Sequence, residues 1–255
     1  MSEKIINLLW TGGWDSTYRL VELSRTNLTV QPVYLTGDGR ISKDYELSAM
    51  EKILGLLAEK KETTANILPL RIVDIKTFPE NAEIKEAFER IYSQYPIGTQ
   101  YEFIAKYALD NPGAELCAEK PDGEYSGIVN VCELNGGFIP FGDSWRLNSE
   151  TASDDCKTIF GNLSFPIVSK TEIQMKEKIK EFGIYDDVMS SIWFCHLPVK
   201  GKPCGMCRPC EQKIEEGMSA LLPKKAIKKH KIVDFTKRHF GEFSVKAVRE
   251  VLRRI

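Results

Sequence analysis

Leu8-Leu9-Trp10-Thr11-Gly12-Gly13-Trp14-Asp15-Ser16-Thr17 decides how the chain folds. The apolar run Ile5 to Trp10 reads as a buried strand, and Tyr18-Arg19-Leu20-Val21-Glu22-Leu23 as an amphipathic helix. Between them lies a tight glycine turn. Such a strand–turn–helix aims unpaired backbone N–H groups at one spot, at the positive end of a helix dipole. That spot favours a phosphate-sized anion. Glycine is needed because a side chain would block the anion and because the turn can require φ > 0. Asp15 and Ser16 suit N-caps, and the hydroxyls of Thr11, Ser16 and Thr17 add donors. The G-x-G-x-x-G and G-x-x-x-x-G-K-[ST] patterns are absent. An ordinary strand–turn–helix capped by Asp15 is the plain alternative.

The 255 residues are 42% hydrophobic and 28% charged, enough for a large core in one or two domains. A formal net charge of −1 gives no global reason to expect a nucleic-acid or membrane partner. From Lys224 onward, however, eleven Lys and Arg face only Asp234, Glu242 and Glu250. No apolar run approaches the ~18 residues of a membrane span. Asn7 and the glycine turn interrupt the N-terminal apolar stretch, so no signal-peptide pattern forms. Seven cysteines without such a signal favour reduced thiols and a cytoplasmic location.

The first half alternates strands and helices. Expected strands are Val30 to Leu35, Ile67 to Ile75 and Ala114 to Ala118; expected helices are Asp44–Ala58, Glu80–Tyr92 and Tyr101–Leu109. Pro32 lacks an N–H and is expected at a strand start or edge. This alternation implies right-handed parallel crossovers and an α/β, doubly wound, mostly parallel sheet. Ligands in such sheets bind at the carboxyl ends of strands, where the opening loop lies. Glu119 to Phe160 is less regular, with Asn135-Gly136 as a hairpin signal. Ser169 and Glu172 have capping-box spacing for a helix ending at Gly183.

Cys195, Cys204, Cys207 and Cys210 form C-x8-C-x2-C-x2-C, with Gly205 and Pro209 in the turns. Four sulfurs suit tetrahedral Zn²⁺ in a closed structural site that pins the loop at the sheet's carboxyl edge. An iron–sulfur cluster is the rival, although its fourth cysteine would lie upstream. His196 reads as adjacent rather than ligating. Cys117, Cys132 and Cys156 read as buried small hydrophobes. Trp14, Trp145, Trp193 and Phe194 could stack on a base or pack a core.

Thr11-Gly12-Gly13-Trp14-Asp15-Ser16 resembles the S-G-G-x-D-S loop of the PP-loop ATP pyrophosphatases, with Thr11 keeping the hydroxyl. The cysteine spacing after such a domain resembles the 7-cyano-7-deazaguanine synthase family. So do Tyr95-Pro96-Ile97-Gly98-Thr99-Gln100 (its V-P-G-R-N), Glu124-Tyr125-Ser126-Gly127 (its D-x-S-G) and Ile167-Val168-Ser169-Lys170-Thr171-Glu172-Ile173 (its L-S-K-x-E-I). The likeness covers roughly Ile5 to Glu216. It implies a Rossmann-like, adenine nucleotide alpha hydrolase-like fold over residues 1–220, including a zinc knuckle over 195–210. It also implies ATP, Mg²⁺ and Zn²⁺, with the nucleotide against Trp10, Thr11, Gly12, Gly13, Asp15, Ser16, Thr17 and Leu35. Asp15, Ser16 and Lys170 would be catalytic, Lys170 reaching phosphate from a first helical turn where cations are otherwise disfavoured. Thr99, Gln100, Ser126 and Gly127 would bind a deazaguanine-type acid, with ammonia as second substrate.

Departures fall in the acceptor pocket. Ile128-Val129-Asn130-Val131 replaces Y-P-D-C, Thr99-Gln100 replaces Arg-Asn, and Gly37-Asp38-Gly39-Arg40 stands where Q-R-H is usual. The family's nitrile synthesis is one expectation; a PP-loop adenylating enzyme with another acceptor (a tRNA, a protein or another deazaguanine acid) is a second, and a non-catalytic nucleotide-binding module a third. Residues 221–255 form a basic helical extension. Its stripe Val245, Val248, Val251 and Leu252 expects docking on the core or on a second subunit, as in a homodimer, rather than an RNA arm.

Overall fold

A computed structural model describes residues 5–120 and 127–254. Strand β1 (Ile5–Leu9) leads through the glycine turn into α1 (Trp14–Ser24), then β2 (Thr29–Thr36) and α2 (Lys43–Ala58). Next come β3 (Asn66–Ile67), β4 (Arg71–Asp74), α3 (Ala82–Gln94), α4 (Gln100–Asp110) and β5 (Ala114–Glu115). Helix α5 (Gly127–Leu134), the hairpin of β6 (Phe138–Phe141) and β7 (Ser144–Leu147), α6 (Asp154–Phe160) and β8 (Leu163–Ser164) follow. The chain ends in α7 (Glu172–Phe182), α8 (Asp186–Met189), α9 (Arg208–Glu215) and α10 (Lys224–Arg254), the last broken at Gly241.

The main sheet has the order β3-β2-β1-β5-β8, with β4 also on β2, and every one of these pairings is parallel. The fold is therefore α/β, as the alternating pattern requires. Strand β1 sits between β2 and β5, so the winding direction reverses beside it. A crevice opens at the carboxyl ends of strands at such a reversal.

Side chains alternate across the sheet and so feed two cores. Leu9, Val33 and Leu35 pack against α3 to α6 through Phe88, Ile104, Val131 and Phe160. Leu8, Trp10, Val30 and Tyr34 pack against α1, α2, α7 and α8 through Leu20, Met50, Met175 and Val188. Leu8 and Leu20 are wholly buried. Each such leucine stabilises the fold by about 2 kcal/mol. A third cluster joins the four cysteines to Ala226, Val233, Val245 and Leu252 of α10. Val251 points away and is exposed, so the tail's stripe is narrower than its sequence spacing suggests. Among the described residues, no helix is long and apolar enough to cross a membrane.

Four local expectations fail, each for a visible reason. Pro32 lies mid-strand in β2, flanked on both sides. Register runs from Val30 opposite Ile67 to Val33 opposite Arg71, so Pro32 faces the break between β3 and β4. Pro69 makes that break and splits the expected Ile67–Ile75 strand. The Gln31 Nε2 donates to the carbonyls of both Pro32 and Pro69, at 3.0 and 2.8 Å, and fills the gap. Second, Asn135-Gly136 closes α5 instead of turning a hairpin; the N–H groups of Asn135 and Gly137 both donate to the Cys132 carbonyl. The hairpin turns at Gly142-Asp143. Third, the capping box is Thr171 with Gln174, not Ser169 with Glu172. Fourth, α1 begins at Trp14 and is capped by Gly13 without a side-chain bond, so Asp15 and Ser16 sit inside the first turn.

Candidate functional site

The carboxyl ends of β1 and β2 and the segment after β5 open onto a cavity of about 630 Å³. Thr11 and Gly13 of the glycine turn line it. Gly12 has φ +71, and a Cβ there would stand 3.1 Å from Met50 Cγ. The Gly12 carbonyl accepts a 2.8 Å bond from the Trp193 N–H. Gly13 is extended and caps α1 with no side chain of its own. The first-turn N–H groups of α1 have no helical partner by geometry. Gly13, Trp14, Asp15 and Ser16 all line the cavity, so the positive end of α1 opens into it.

Trp10, Thr11, Leu35 and Gln100 also line the cavity. Other expected positions do not. Gly12 backs onto α2. Thr17 is fully buried and accepts from the Trp10 indole at 3.0 Å, tying the end of β1 to α1. Thr99 precedes α4, and Gly127 opens α5 in an exposed position. Ser126 lies outside the described residues. Lys170 precedes the Thr171 cap, so it is not in a helical first turn. Its Nζ pairs with Glu22 Oε1 at 2.7 Å and sits 5.3 Å from the Tyr18 ring centroid. Trp14, Trp193 and Phe194 stand on the cavity wall, whereas Trp145 belongs to the β6–β7 hairpin. Cys132 and Cys156 are core residues, but Cys117 lines the cavity as a thiol whose pKa burial pushes well up.

The residue that sequence reasoning missed is Lys213 on α9. It is buried and lines the cavity. Its Nζ lies 2.6 Å from Glu172 Oε1, 3.3 Å from Glu216 Oε2 and 5.6 Å from the Trp14 ring centroid. Burial opposes its charge, but Glu172, Asp15 and Glu216 outweigh burial and hold its pKa above the ordinary value. Burial pushes the Asp15 carboxyl up to about 6, with Lys213 opposing and Glu216 adding to the rise. Glu172 is pushed up to about 9 by burial and by Glu216 beside it, against the pull of Lys213. The sequence signal was position: Lys213 is one turn beyond Cys210, on a helix whose start the last two cysteines fix.

Arg40 also lines the cavity and pairs with Asp38 at 2.7 Å and Glu46 at 3.3 Å. Buried Glu46 also accepts from Tyr34 Oη and Ser42 Oγ, both at 2.6 Å. These bonds fix the end of β2. One level below, buried Arg19 of α1 makes a bidentate bond to Glu115 at 2.8 and 2.9 Å and reaches Asp143 at 2.9 Å.

Cys195, Cys204, Cys207 and Cys210 are all buried, with their sulfurs within 4.8 Å of one another. The Cys204–Cys210 and Cys195–Cys207 Sγ pairs are each 3.9 Å apart. Zn–S bonds of about 2.3 Å make a tetrahedron with edges of about 3.8 Å. Backbone N–H groups of Cys204, Met206 and Cys207 point at these sulfurs, at 3.2 to 3.3 Å, as ligating thiolates need. Gly205 has φ +75, and a side chain there would overlap the Ala226 carbonyl. The group can hold a metal ion such as zinc, and His196 stands apart from it on the cavity wall. The centre is joined to the glycine turn directly. The Trp193 indole donates to the Cys195 carbonyl at 2.8 Å while its backbone holds Gly12.

No protein-family model matches the chain, and no curated protein matches it.

Proposed function

We propose that the chain is an ATP-dependent adenylating enzyme of the PP-loop type, with the architecture of the 7-cyano-7-deazaguanine synthases. The observation that carries this reading is the first turn of α1, capped by Gly13 without a side-chain bond and opening into the 630 Å³ cavity at the sheet's winding reversal. In this reading the β and γ phosphates of ATP lie against the N–H groups of that turn, with the Ser16 hydroxyl as a further donor. Asp15 serves Mg²⁺. A carboxylate oxygen of the acceptor attacks the α-phosphorus, the bond to the bridging oxygen breaks, and pyrophosphate leaves. Ammonia then attacks the acyl-adenylate carbonyl, AMP leaves, and an amide results. A second activation removes the amide oxygen to give a nitrile. The protein contributes positioning and charge compensation and needs no covalent nucleophile. Lys213 is a buried cation on the cavity lining, held by Glu172 and Glu216, whereas Lys170 is held by Glu22. The metal bound by the cysteines would be zinc in a structural role, holding α9 and Trp193 against the loop.

A different acceptor within the same chemistry is favoured by one observation. Ile128, Val129 and Val131 are core residues of α5, so the segment that differs from the family's acceptor contacts is given over to packing. Incubation with ATP, 7-carboxy-7-deazaguanine and ammonia tests both readings. Nitrile with AMP and pyrophosphate supports the first. Pyrophosphate release only with another carboxylate acceptor supports the second. Absence of ATP binding overturns both.

A further inference from the structure

Helix α10 is broken at Gly241, and its two halves present different chemistry. The half beyond the break packs on the cysteine cluster through Val245 and Leu252. The half before it packs there through Ala226 and Val233. At 3.6 residues per turn, Lys224, Lys228, Lys231, Phe235 and His239 then share one stripe about 80° wide on the opposite side. All five are exposed. Of residues 224–231, five are lysine and none is acidic. Cations at the positive end of a helix are disfavoured, so this turn gains from an anion.

The charge continues beyond the helix. Lys200, Lys202, Lys225 and Lys229 line a second cavity, of about 320 Å³, between the start of α10 and the loop 199–204. Lys200 and Gly201, both at positive φ, form the tip of a two-residue turn. Val199 and Lys202 close it with bonds of 2.9 and 3.1 Å, and the turn carries both exposed lysines to the cavity rim. Lys229 is only 6% exposed, and its Nζ donates to a neutral group, the Leu252 carbonyl, at 2.5 Å. Lys225 is engaged by a further contact. A Zn²⁺ held by four thiolates would carry a net charge of −2 and draw on Lys229, since Cys204 lines the same cavity. Lys224, Lys228 and Lys231 face away from that centre.

Aromatic rings extend the lysine stripe. Phe235 is 56% exposed, and the His239 ring stacks on it at 4.1 Å with 26° between the planes. Phe240 beside them is 66% exposed. Apolar rings this open to water call for a covering partner. Protein interfaces are depleted in lysine, whereas this stripe is rich in it. A row of cations leading into an exposed ring platform suits single-stranded nucleic acid, with phosphates along the cations and bases on the rings.

We propose that the half of α10 before Gly241, with the turn at 199–202, binds single-stranded nucleic acid. Phosphates lie against Lys200, Lys202, Lys224, Lys228 and Lys231, and a base stacks on Phe235 and His239. The surface stands without the ATP reading. The test uses the full chain with its zinc content verified and a labelled single-stranded RNA of about 12 nucleotides. Fluorescence anisotropy follows binding between about 50 and 200 mM KCl. Expected is saturable binding with a logarithmic salt slope of about −2 to −3.5, from three to five phosphates at about 0.7 each. Single-stranded DNA of the same sequence should bind comparably, because the contacts are to phosphates and ring faces. The double variant Lys224→Ala/Lys228→Ala should bind at least fivefold more weakly and flatten the slope by about 1.4. Phe235→Ala should also bind at least fivefold more weakly but keep the slope, since stacking releases no counterions. Lys157→Ala, on α6, should change neither. Circular dichroism and zinc content establish that these exposed-residue variants are folded. No saturable binding at about 50 mM salt, or binding that both variants leave unchanged, overturns the proposal. A dimer that Phe235→Ala dissolves and RNA does not displace, seen by sedimentation, also overturns it and assigns the face to a second copy. RNA binding in a protein that fails to bind ATP would sink the adenylation reading and leave this surface standing.

Discussion

Gly12 and Asp15 show how much of the site rests on single positions. Gly12→Ala forces a side chain into φ +71 beside Met50 and Glu46. It is expected to cost about 1–2 kcal/mol of stability, and to weaken nucleotide binding in a calorimetric titration because the turn that lines the cavity shifts. Asp15 acts through protonation. Its folded pKa of about 6 lies above the unfolded value of 3.8, so the folded state holds its proton more tightly. Its contribution to stability is therefore present below about pH 4 and lost as pH rises through 6. Asp15→Asn should raise the melting temperature at pH 7 in metal-free buffer, and the gain over the unaltered chain should vanish near pH 4. A constant gain across that range would refute the assignment. The same variant should lose ATP-dependent pyrophosphate release. The tight turn between β1 and α1 was legible in the sequence because a glycine pair after an apolar strand has few physical uses. Lys213 was not, because its spacing from Cys210 places it on the helix that the last cysteines open but does not say which face is buried; that depends on where Cys195 and Cys204 meet Cys207 and Cys210.

At the scale of elements, the cysteine loop and α9 work as one part. The loop supplies Trp193, which holds the turn, and α9 supplies Lys213 and Gln212 to the cavity. Chelation under conditions that remove the bound metal should therefore expose the four thiols to a thiol reagent. It should lower the melting temperature and abolish nucleotide binding together with metal content. Nucleotide binding that survives full metal loss would show that the two are not coupled. The long helices and central strands were legible because each repeats its apolar residues at one clear period. Pro32 was misleading for the opposite reason. A proline excludes itself from a paired position only if the neighbouring strand is continuous, and Pro69 interrupts that neighbour. The Lys170 environment likewise turned on a two-residue shift of the cap, since Ser169 and Thr171 are both competent caps and only the reciprocal Gln174 bond selects between them.

For the molecule as a whole, the parallel sheet and its two covered faces were readable from the alternation of apolar runs. The edges were not. Edge strand β8 contributes only two residues to the ladder, too few to leave a pattern, and interior β5 keeps only Ala114–Glu115 of the strand expected over Ala114 to Ala118. Arg19 and Glu115 are 5% and 3% exposed, and they tie α1 to β5 while Asp143 adds the β6–β7 hairpin. Glu115→Ala removes the bidentate partner of buried Arg19, leaving it Asp143 and Glu22, and should cost about 3 kcal/mol in a denaturant melt. An effect below about 1 kcal/mol would place the pair among surface-type bridges.

The bond from Trp193 to Gly12 joins two points far apart along the chain. Contacts of that separation form late, after shorter loops have closed. During synthesis the first strand and helix emerge early, yet the N–H that holds their turn comes from the segment after α8. The glycine turn is thus among the first parts made and among the last finished. A nascent chain stopped short of Trp193 would carry the motif without the site.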